Sequence, residues 1–204
     1  DAIFIAGGAN ASIRIPLRGH EKKGVLWGWD FLRDVKLKKP PKIKGDVIVV
    51  GGGNVAIDVA LTAKRLGAKG VHLFCLEKRE EMPAFSWSIA EAEEEGVDIQ
   101  TGWGPMRFRL RGEKLLGISF KKCVAVCDSR GIFCPSYDEK NTLDLPAETV
   151  ILAIGQKTDM GMLEPALHGP AGVRCHPTTL QTAKSKIFAA GDFLRGPKTI
   201  VEAM

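Results

Sequence analysis

The sequence predicts an α/β protein, and three consecutive patterns carry that prediction. Residues 46–50 (DVIVV) form an unbroken, mostly β-branched apolar run, which is typical of a strand buried on both faces. After a glycine-rich turn, residues 55–66 are predicted as a helix that Gly67 ends. Residues 71–76 (VHLFCL) form a second apolar strand. A strand, a helix and a parallel strand within about thirty residues make a β-α-β unit.

The rest of the chain predicts further strands, three more helices and added hairpins. Residues 24–29 are expected in a loop-rich stretch, and Pro40-Pro41 marks a linker. Residues 121–143 are expected to form a hairpin with an irregular loop. Short helices are expected near 30–35 and 86–95, with another starting near Thr199. The remaining strands are expected at 2–6, 97–100, 106–111, 115–120, 149–154 and 186–190, with 2–6 and 149–154 buried.

The composition is that of a globular domain, with 45% hydrophobic and 26% charged residues among 204. No apolar stretch reaches membrane-spanning length and no signal peptide is present, so a cytoplasmic protein without membrane contact is expected. The chain starts at Asp1 in a strand-like segment and stops at Met204 within a helix-like one. It is therefore expected to be a fragment of a larger protein.

The net charge of +5 is concentrated in one segment. Residues 14–44 hold ten Lys and Arg against three Asp and Glu. Such a segment could attract phosphates or an acidic partner. A solvated linker, KLKKPPKIK, is the preferred interpretation, and no nucleic-acid-binding signature accompanies it.

The five cysteines predict reduced thiols rather than disulfides, because their number is odd. The Cys123-x3-Cys127-x6-Cys134 spacing leaves an iron–sulfur or zinc site open, but it has no C-x-x-C pair and no fourth close ligand. No metal site is therefore predicted. The same spacing argues against a disulfide-exchange enzyme.

The glycine-rich turn predicts a site for a dinucleotide. Gly51, Gly53 and Ala56 have the spacing in which the first residue allows a tight turn and the second allows a pyrophosphate to approach. The third lets the helix pack closely on the strand, and the helix N-terminus attracts the phosphates. The alternatives are an empty Rossmann-like unit and an ordinary glycine turn.

An acidic residue at the end of the second strand predicts which dinucleotide binds. Glu77 lies 21 residues after Ala56, where a carboxylate accepts hydrogen bonds from the adenosine ribose. It would repel a 2′-phosphate, so NAD(H) is preferred over NADP(H). Lys78 and Arg79 follow and could hold that phosphate instead. Glu77 could also be a solvated loop acid.

A second strand end carries Gly191-Asp192, followed by a helix expected to begin near Thr199. An Asp there can bind a polyol while the helix dipole faces an anion. This pattern alone is common in α/β turns.

Four stretches in this order identify a family: GDVIVVGGGNVAIDVALTAKRLGA, KREEMPA, TVILAIGQKTD and IFAAGDFLRGPKTIVEA. Together they resemble the pyridine-nucleotide:flavin oxidoreductases that are similar to the small (beta) subunit of glutamate synthase. The resemblance covers essentially the whole chain. It implies a Rossmann-like NAD(P)-binding domain at 46–145, inserted into a partial FAD-binding domain formed by 1–45, with its linker, and 146–204.

The resemblance also implies roles for individual residues. Gly51, Gly53, Asn54 and Val55 would cradle the pyrophosphate of the nicotinamide dinucleotide. Gly155 and Gln156 would lie near the cofactors, Asp192 would contact the flavin ribityl chain, and Thr199 to Val201 would lie near the isoalloxazine. NADPH-using members commonly carry two arginines where this chain has Leu76 and Glu77, which supports NAD(H).

The implied activity is hydride transfer from NADH, or NADPH, to FAD and then to an iron–sulfur domain or subunit. The cofactors do this chemistry, and no catalytic side chain is predicted. Two alternatives are kept. One is a non-catalytic dinucleotide-binding or sensing module. The other is a thioredoxin-reductase-like enzyme, which needs a redox-active cysteine pair that no spacing here supplies.

Overall fold

The computed structural model describes residues 1–161, 163–169 and 172–203. The helices are α1 (Gly28–Lys36), α2 (Asn54–Arg65), α3 (Ser86–Glu94), α4 (Asp192–Arg195) and α5 (Ile200–Ala203). The strands are β1 (Ile3–Ile5), β2 (Ala11–Ser12), β3 (Val25–Trp27), β4 (Val47–Val50), β5 (Val71–Cys75), β6 (Asp98–Thr101), β7 (Trp103–Arg111), β8 (Lys114–Cys127), β9 (Phe133–Pro146), β10 (Thr149–Leu152), β11 (Gln156–Lys157), β12 (His168–Gly169), β13 (Gly172–Val173) and β14 (Ile187–Ala189).

The chain divides into two compact units, residues 14–155 and residues 1–13 with 156–203. A five-stranded sheet in the order β3-β10-β4-β5-β6 lies at the centre of the first unit, and all its pairs are parallel. The predicted α/β fold and the predicted β-α-β unit are confirmed, with β4, α2 and β5 as its elements.

Both faces of this sheet are covered, by different layers. Alternate residues of its inner strands point to opposite faces. Val47, Val49 and Leu73 join a cluster with α1, α2 and α3. Ile48 and Phe74 join a second cluster with β7 and β8. Those two strands belong to an antiparallel sheet of order β7-β8-β9. The continuous apolar runs of β4 and β10 follow from this burial, because each residue of these two strands is buried.

The second unit contains small two-stranded sheets. β1 pairs with β14, β2 with β11 and β12 with β13. A small core forms around Val173, Ala189 and Phe193.

Two local predictions are wrong. Residues 24–29 were expected as a loop, but Val25–Trp27 form β3, the edge strand beside β10. Ile3 and Phe4 lie in a strand as expected, but they are 59% and 65% exposed rather than buried. Among the described residues, their strand pairs with β14 alone, and Ile5 packs against the small core of the unit while Ile3 and Phe4 face solvent.

The compact units also have bounds that differ from the expected domains 1–45, 46–145 and 146–204. β3 precedes residue 46 and β10 follows residue 145, yet both lie in the central sheet with β4. Residues 121–143, expected as a hairpin, form the end of β8, the following turn and most of β9. Each of these two strands has 14 residues. Which cofactor each unit holds stays a prediction.

The contact between the two sheets of the first unit gives a stability prediction. Phe120 of β8 is fully buried and stacks on Phe74 of β5 with ring centroids 4.5 Å apart. Phe120→Ala should lower the free energy of unfolding by about 3–5 kcal/mol, because it removes a packed ring and leaves a cavity. Urea unfolding followed by circular dichroism measures this. The control is Phe133→Ala in the same antiparallel sheet, where the ring is 65% exposed and the expected loss is within about 0.5 kcal/mol. Equal losses for the two variants would contradict the assigned packing.

Candidate functional site

The glycine-rich turn joins β4 to α2 and leaves no room for a side chain at its first position. The Gly51 N–H donates to the Phe74 carbonyl at 2.8 Å, which ties the turn to β5. Gly51 has a φ of 141°, and a Cβ there would overlap the carbonyl oxygen of Ala153. The same Cβ position is 3.3 Å from the Ala56 methyl group. The predicted tight turn and close helix–strand contact are therefore both present in the structure.

The N-terminus of α2 is open to an approaching anion. Gly53 is its N-cap residue, no side chain caps it, and the first turn contains no acidic residue. A Cβ built on Gly53 would meet no described atom within 4 Å. The first N–H groups of a helix have no partner within the helix, and they carry the positive end of its dipole. The backbone around Gly53, Asn54 and Val55 can thus receive a phosphate.

The side chain of Asn54 has a structural role that the sequence did not predict. Its Oδ1 accepts a hydrogen bond from the Phe85 N–H at 2.9 Å, and the Ala84 N–H donates to the Gly52 carbonyl at 3.1 Å. These bonds fasten the turn to the residues that lead into α3. Asn54 can therefore offer a phosphate its backbone N–H, while its amide oxygen is already bonded.

Glu77 lies beside the glycine-rich turn. One of its carboxylate oxygens is 2.7 Å from the position that a Cβ on Gly52 would take. Its carbonyl accepts the Gly102 N–H at 2.9 Å, which fixes the backbone between β5 and the end of β6. Gly52 and Glu77, which are 25 positions apart in the sequence, are thus neighbours at the carboxyl edge of the sheet. This is where a ribose attached to a phosphate at Gly53 would lie.

The two cations after Glu77 have different surroundings. Lys78 is exposed. Arg79 donates from Nη2 to Glu93 Oε2 of α3 at 2.6 Å, so its charge is partly neutralised. Its Nη1 is shielded from solvent and has no hydrogen-bond partner among the described residues. Of the two, Lys78 is therefore the cation without a carboxylate within ion-pair distance in the described chain.

A cavity of about 510 Å³ opens at the carboxyl end of β5. One side is formed by Leu76–Lys78 with Glu81 and Pro83, and the other is formed by Cys123–Cys127 of β8. Its volume lies within the range of small-molecule sites. The sequence did not predict the β8 side, because nothing in the local pattern of 123–127 indicates that it faces Glu77.

The remaining predicted residues lie elsewhere. Gly155 is the last residue of the first unit, and Gln156 starts β11 in the second, paired with Ser12. Gly191 precedes α4, and the Asp192 Oδ1 accepts the Lys198 N–H at 3.1 Å. Thr199 precedes α5, and its hydroxyl donates to Glu202 at 2.8 Å. Asp192 is the first residue of α4, a four-residue helix that the sequence did not predict, and the helix expected near Thr199 is α5, which also has four residues.

The five cysteines are free thiols. Cys75 is buried at the end of β5, and its burial raises the pKa of the thiol to about 12, with the neighbouring Glu77 carboxylate adding to the rise. Cys127 and Cys134 are exposed on β8 and β9. Cys75 therefore lies close to the candidate site without being a nucleophile at neutral pH.

This difference predicts selective alkylation. At pH 8, a thiol with this pKa is ionised in roughly one molecule in ten thousand. In the folded chain Cys75 should react with iodoacetamide at least about a hundredfold more slowly than Cys127 and Cys134. Peptide mass spectrometry after timed labelling measures the rates, and labelling in urea is the control, in which the rates should converge. A fast native reaction at Cys75 would contradict its burial.

Among the described residues, no helix is both long and apolar enough to cross a membrane. In the same part of the chain, no group of three or more His, Cys, Asp and Glu side chains is placed to hold a metal ion.

A family model described as pyridine nucleotide-disulphide oxidoreductase matches residues 1–204. Over its whole length, the chain is 37% identical to an NADP(+)-dependent formate dehydrogenase subunit beta from Moorella thermoacetica. The matched region is 30% of that protein. It is also 28% identical over its whole length to the glutamate synthase [NADPH] small chain of Escherichia coli, and the matched region is 48% of that protein. An NAD-dependent dihydropyrimidine dehydrogenase subunit PreT from Escherichia coli is 30% identical, with 100% of this chain matching 44% of that protein. The chain thus spans less than half of each of these relatives.

Solved structures share the fold. FprA from Mycobacterium tuberculosis in complex with NADPH aligns with a TM-score of 0.81 at 14% identity, covering 98% of this chain and 60% of that one. Lactococcus lactis thioredoxin reductase aligns with a TM-score of 0.74 at 18% identity, covering 99% and 61%. At these identities the likeness concerns the fold alone.

Proposed function

Because this chain belongs to the pyridine nucleotide-disulphide oxidoreductase family, we propose that it is the nicotinamide-dinucleotide-binding part of an FAD-dependent oxidoreductase. The observation that carries the proposal is the uncapped N-terminus of α2 with open space at Gly53 and the Glu77 carboxylate beside Gly52. A helix N-terminus that can bind a phosphate and a carboxylate that can accept hydrogen bonds from a ribose are thereby adjacent at one edge of the sheet.

Each part of this edge has one task in the proposal. The backbone of Gly53, Asn54 and Val55 donates to the pyrophosphate. Asn54 Oδ1 holds the segment before α3 in place through its bond with the Phe85 N–H. Glu77 accepts the ribose hydroxyls. The protein contributes binding and orientation, whereas hydride transfer is supplied by the nicotinamide and the flavin when they are bound.

The proposal includes a preference for NAD(H) over NADP(H). Glu77 opposes a 2′-phosphate at the ribose, and Arg79 is engaged by Glu93. Lys78 is the cation that would favour NADP(H). The names of the relatives include both cofactors, since two carry NADP or NADPH and one carries NAD. The preference therefore rests on Glu77.

FAD belongs to the proposal for the whole protein. In the second unit, Asp192 uses Oδ1 to accept the Lys198 N–H, and its Oδ2 accepts no hydrogen bond from the described residues. That oxygen fits a ribityl hydroxyl. Gly155, Gln156, Gly191 and Thr199 remain proposed neighbours of the cofactors. A glutamate synthase-like transfer of electrons to an iron–sulfur domain or subunit, in the cytoplasm, completes the proposed activity.

Titration of the purified chain with NADH and NADPH tests the proposal, with ligand fluorescence as the readout. NADH should bind at least severalfold more tightly. Binding of neither nucleotide would overturn the proposed site, and tighter binding of NADPH would overturn the preference. In the full-length protein, anaerobic NADH should bleach the yellow absorbance of bound flavin. Binding without bleaching at saturating FAD would favour the alternative, a non-catalytic dinucleotide-binding module.

A further inference from the structure

The proposed nucleotide site makes no use of the lysine segment, residues 36–44 (KLKKPPKIK). The lysines of this segment are all exposed: Lys36, Lys38, Lys39, Lys42 and Lys44. Among the described residues, the lysines that lie within 4.0 Å of a carboxylate are all outside the segment. Its positive charges therefore have no ion-pair partner in the described chain.

The first half of the lysine segment is the end of α1 and the turn after it. The N–H groups of residues 37–39 donate to carbonyls of α1 at 2.8–3.0 Å. Lys38 has a φ of 58°, a left-handed conformation in which glycine is favoured after a helix. The helix dipole accounts for a cation in the last turn, at Lys36, but not for the lysines beyond it. The fold alone therefore does not explain why a long charged side chain stands at Lys38.

The second half of the lysine segment is anchored through alternate residues. Ile43 is half-buried and packs against the core cluster of α1, α2 and α3. Lys42 and Lys44, on either side of it, are exposed, as expected where successive side chains point in opposite directions. The Gly45 carbonyl accepts the Lys69 N–H at 3.0 Å, which brings another exposed lysine beside the segment. The segment is solvated, as the sequence predicts, but it is held on the first unit rather than free.

The lysine segment lies at the opposite edge of the central sheet from the glycine-rich turn. It precedes β4 and meets the loop between α2 and β5, whereas the glycine-rich turn follows β4. Two acids lie near its far end, since Asp46 is exposed there and Glu148 lies beside Gly45. Asp34 of α1 is already paired with the preceding arginine at 2.9 Å. The uncompensated positive charge is therefore concentrated in residues 36–42.

The residue types in the lysine segment suit a protein partner. Leu37 is 60% exposed among the lysines, and an apolar residue surrounded by charged ones resembles the centre and rim of a protein interface. The segment has no arginine to hold phosphates bidentately and no aromatic residue to stack on bases. A single exposed leucine offers a lipid bilayer little apolar surface to bury.

We propose that the lysine segment, together with Lys69, is a docking surface for an acidic protein. The Asp and Glu side chains of the partner face the lysines, and an apolar residue of the partner contacts Leu37. Complementary charges of this kind steer a partner to its site and orient it. Because the segment and the glycine-rich turn are at opposite edges of the sheet, the inference does not rest on the proposed function.

A short fluorescein-labelled peptide, rich in glutamate and with two central leucines, is the probe, and fluorescence anisotropy is the readout. The chain should bind the peptide at low ionic strength, and raising the salt from about 20 mM to about 200 mM should weaken binding at least about tenfold. A peptide with glutamine in place of glutamate should not bind. Absence of binding by the glutamate peptide at low salt would overturn the proposal.

Two triple variants with the same net charge test the position of the lysines. Combining Lys38→Gln, Lys39→Gln and Lys42→Gln should weaken peptide binding at least about tenfold. The control should stay within about twofold of wild type, because its charges lie away from the segment. It combines glutamine substitutions of exposed lysines without an ion pair in the described chain: Lys114, Lys140 and Lys186. Equal losses in the two variants would mean that net charge alone attracts the peptide, and the docking surface would be wrong.

The exposed leucine is tested separately. Leu37→Ser should weaken peptide binding about threefold to tenfold, because it removes the apolar contact and leaves the charges in place. The control is Ile132→Ser, at a residue that is 54% exposed and lies before β9. Wild-type affinity of Leu37→Ser would overturn the contact assigned to Leu37.

Competing probes decide the class of partner. Vesicles of phosphatidylserine and phosphatidylcholine and a short DNA duplex are titrated under the same conditions as the peptide. Tighter binding of either one, lost in the Lys38, Lys39 and Lys42 triple variant, would replace the acidic protein with a membrane or a nucleic acid. The same variant should bind NADH with wild-type affinity. Peptide binding by a chain that binds no NADH would leave this inference standing while the proposed function fails.

Discussion

Gly53→Ala should abolish most dinucleotide binding while leaving the fold intact. The added methyl group meets no described atom within 4 Å, and Gly53 has a φ of −90°, which any residue adopts. The folded chain therefore loses little stability. The methyl group occupies the space through which a pyrophosphate must approach the backbone. If two charge-assisted hydrogen bonds are lost, at about 1.5–3 kcal/mol each, NADH affinity should fall at least about a hundredfold.

The same substitution at Gly51, the first glycine of the turn, should have the opposite effect. Gly51→Ala places a methyl group into the Ala153 carbonyl oxygen at a φ of 141°. This variant should unfold at a clearly lower urea concentration, with a loss of more than about 2 kcal/mol. Fluorescence titration with NADH, together with urea unfolding, distinguishes the two substitutions. Wild-type affinity in Gly53→Ala would show that no phosphate approaches this turn.

The elements that the sequence predicted correctly are those with strong local patterns. The β4–α2–β5 unit combines two continuous apolar strands, a glycine-rich turn and a helix whose buried positions are mostly small or β-branched. Each part is specified within about twelve residues of chain, so short-range rules suffice. The closeness of Glu77 to the turn follows from the parallel pairing of β4 and β5, which the pattern also implies.

The features that the sequence missed depend on distant partners. β3 has three residues between Gly24 and Gly28, and it is a strand because β10, more than a hundred residues later, pairs with it. The β8 side of the cavity exists because β8 continues past the start of β7, which is a consequence of strand lengths and register. Asn54 was assigned to the pyrophosphate, but the bond of its side chain to Phe85 requires the fold of residues 82–85 to be known.

Replacing the acid at the ribose position should have the second large effect, on cofactor choice. Glu77→Ala removes an acceptor that can bind two ribose hydroxyls, and one charge-assisted hydrogen bond contributes about 1.5–3 kcal/mol. NADH affinity should therefore fall about tenfold to a hundredfold. NADPH should lose less or bind more tightly, because the variant no longer sets a carboxylate against the 2′-phosphate. Parallel titrations with the two nucleotides measure the ratio.

A control variant with the same change in net charge separates the effect of losing a charge from the effect of losing the carboxylate at Glu77. Glu80 is an exposed acid three residues later, outside the lining of the cavity, so Glu80→Ala should leave both affinities near wild type. Wild-type protein that prefers NADPH would instead mean that Lys78 outweighs Glu77. Arg79 has less freedom to do so, because turning its guanidinium to a phosphate would break its 2.6 Å contact with Glu93. The cofactor ratio of Glu77→Ala therefore reports whether one carboxylate beside Gly52 sets the preference, whichever cofactor the relatives use.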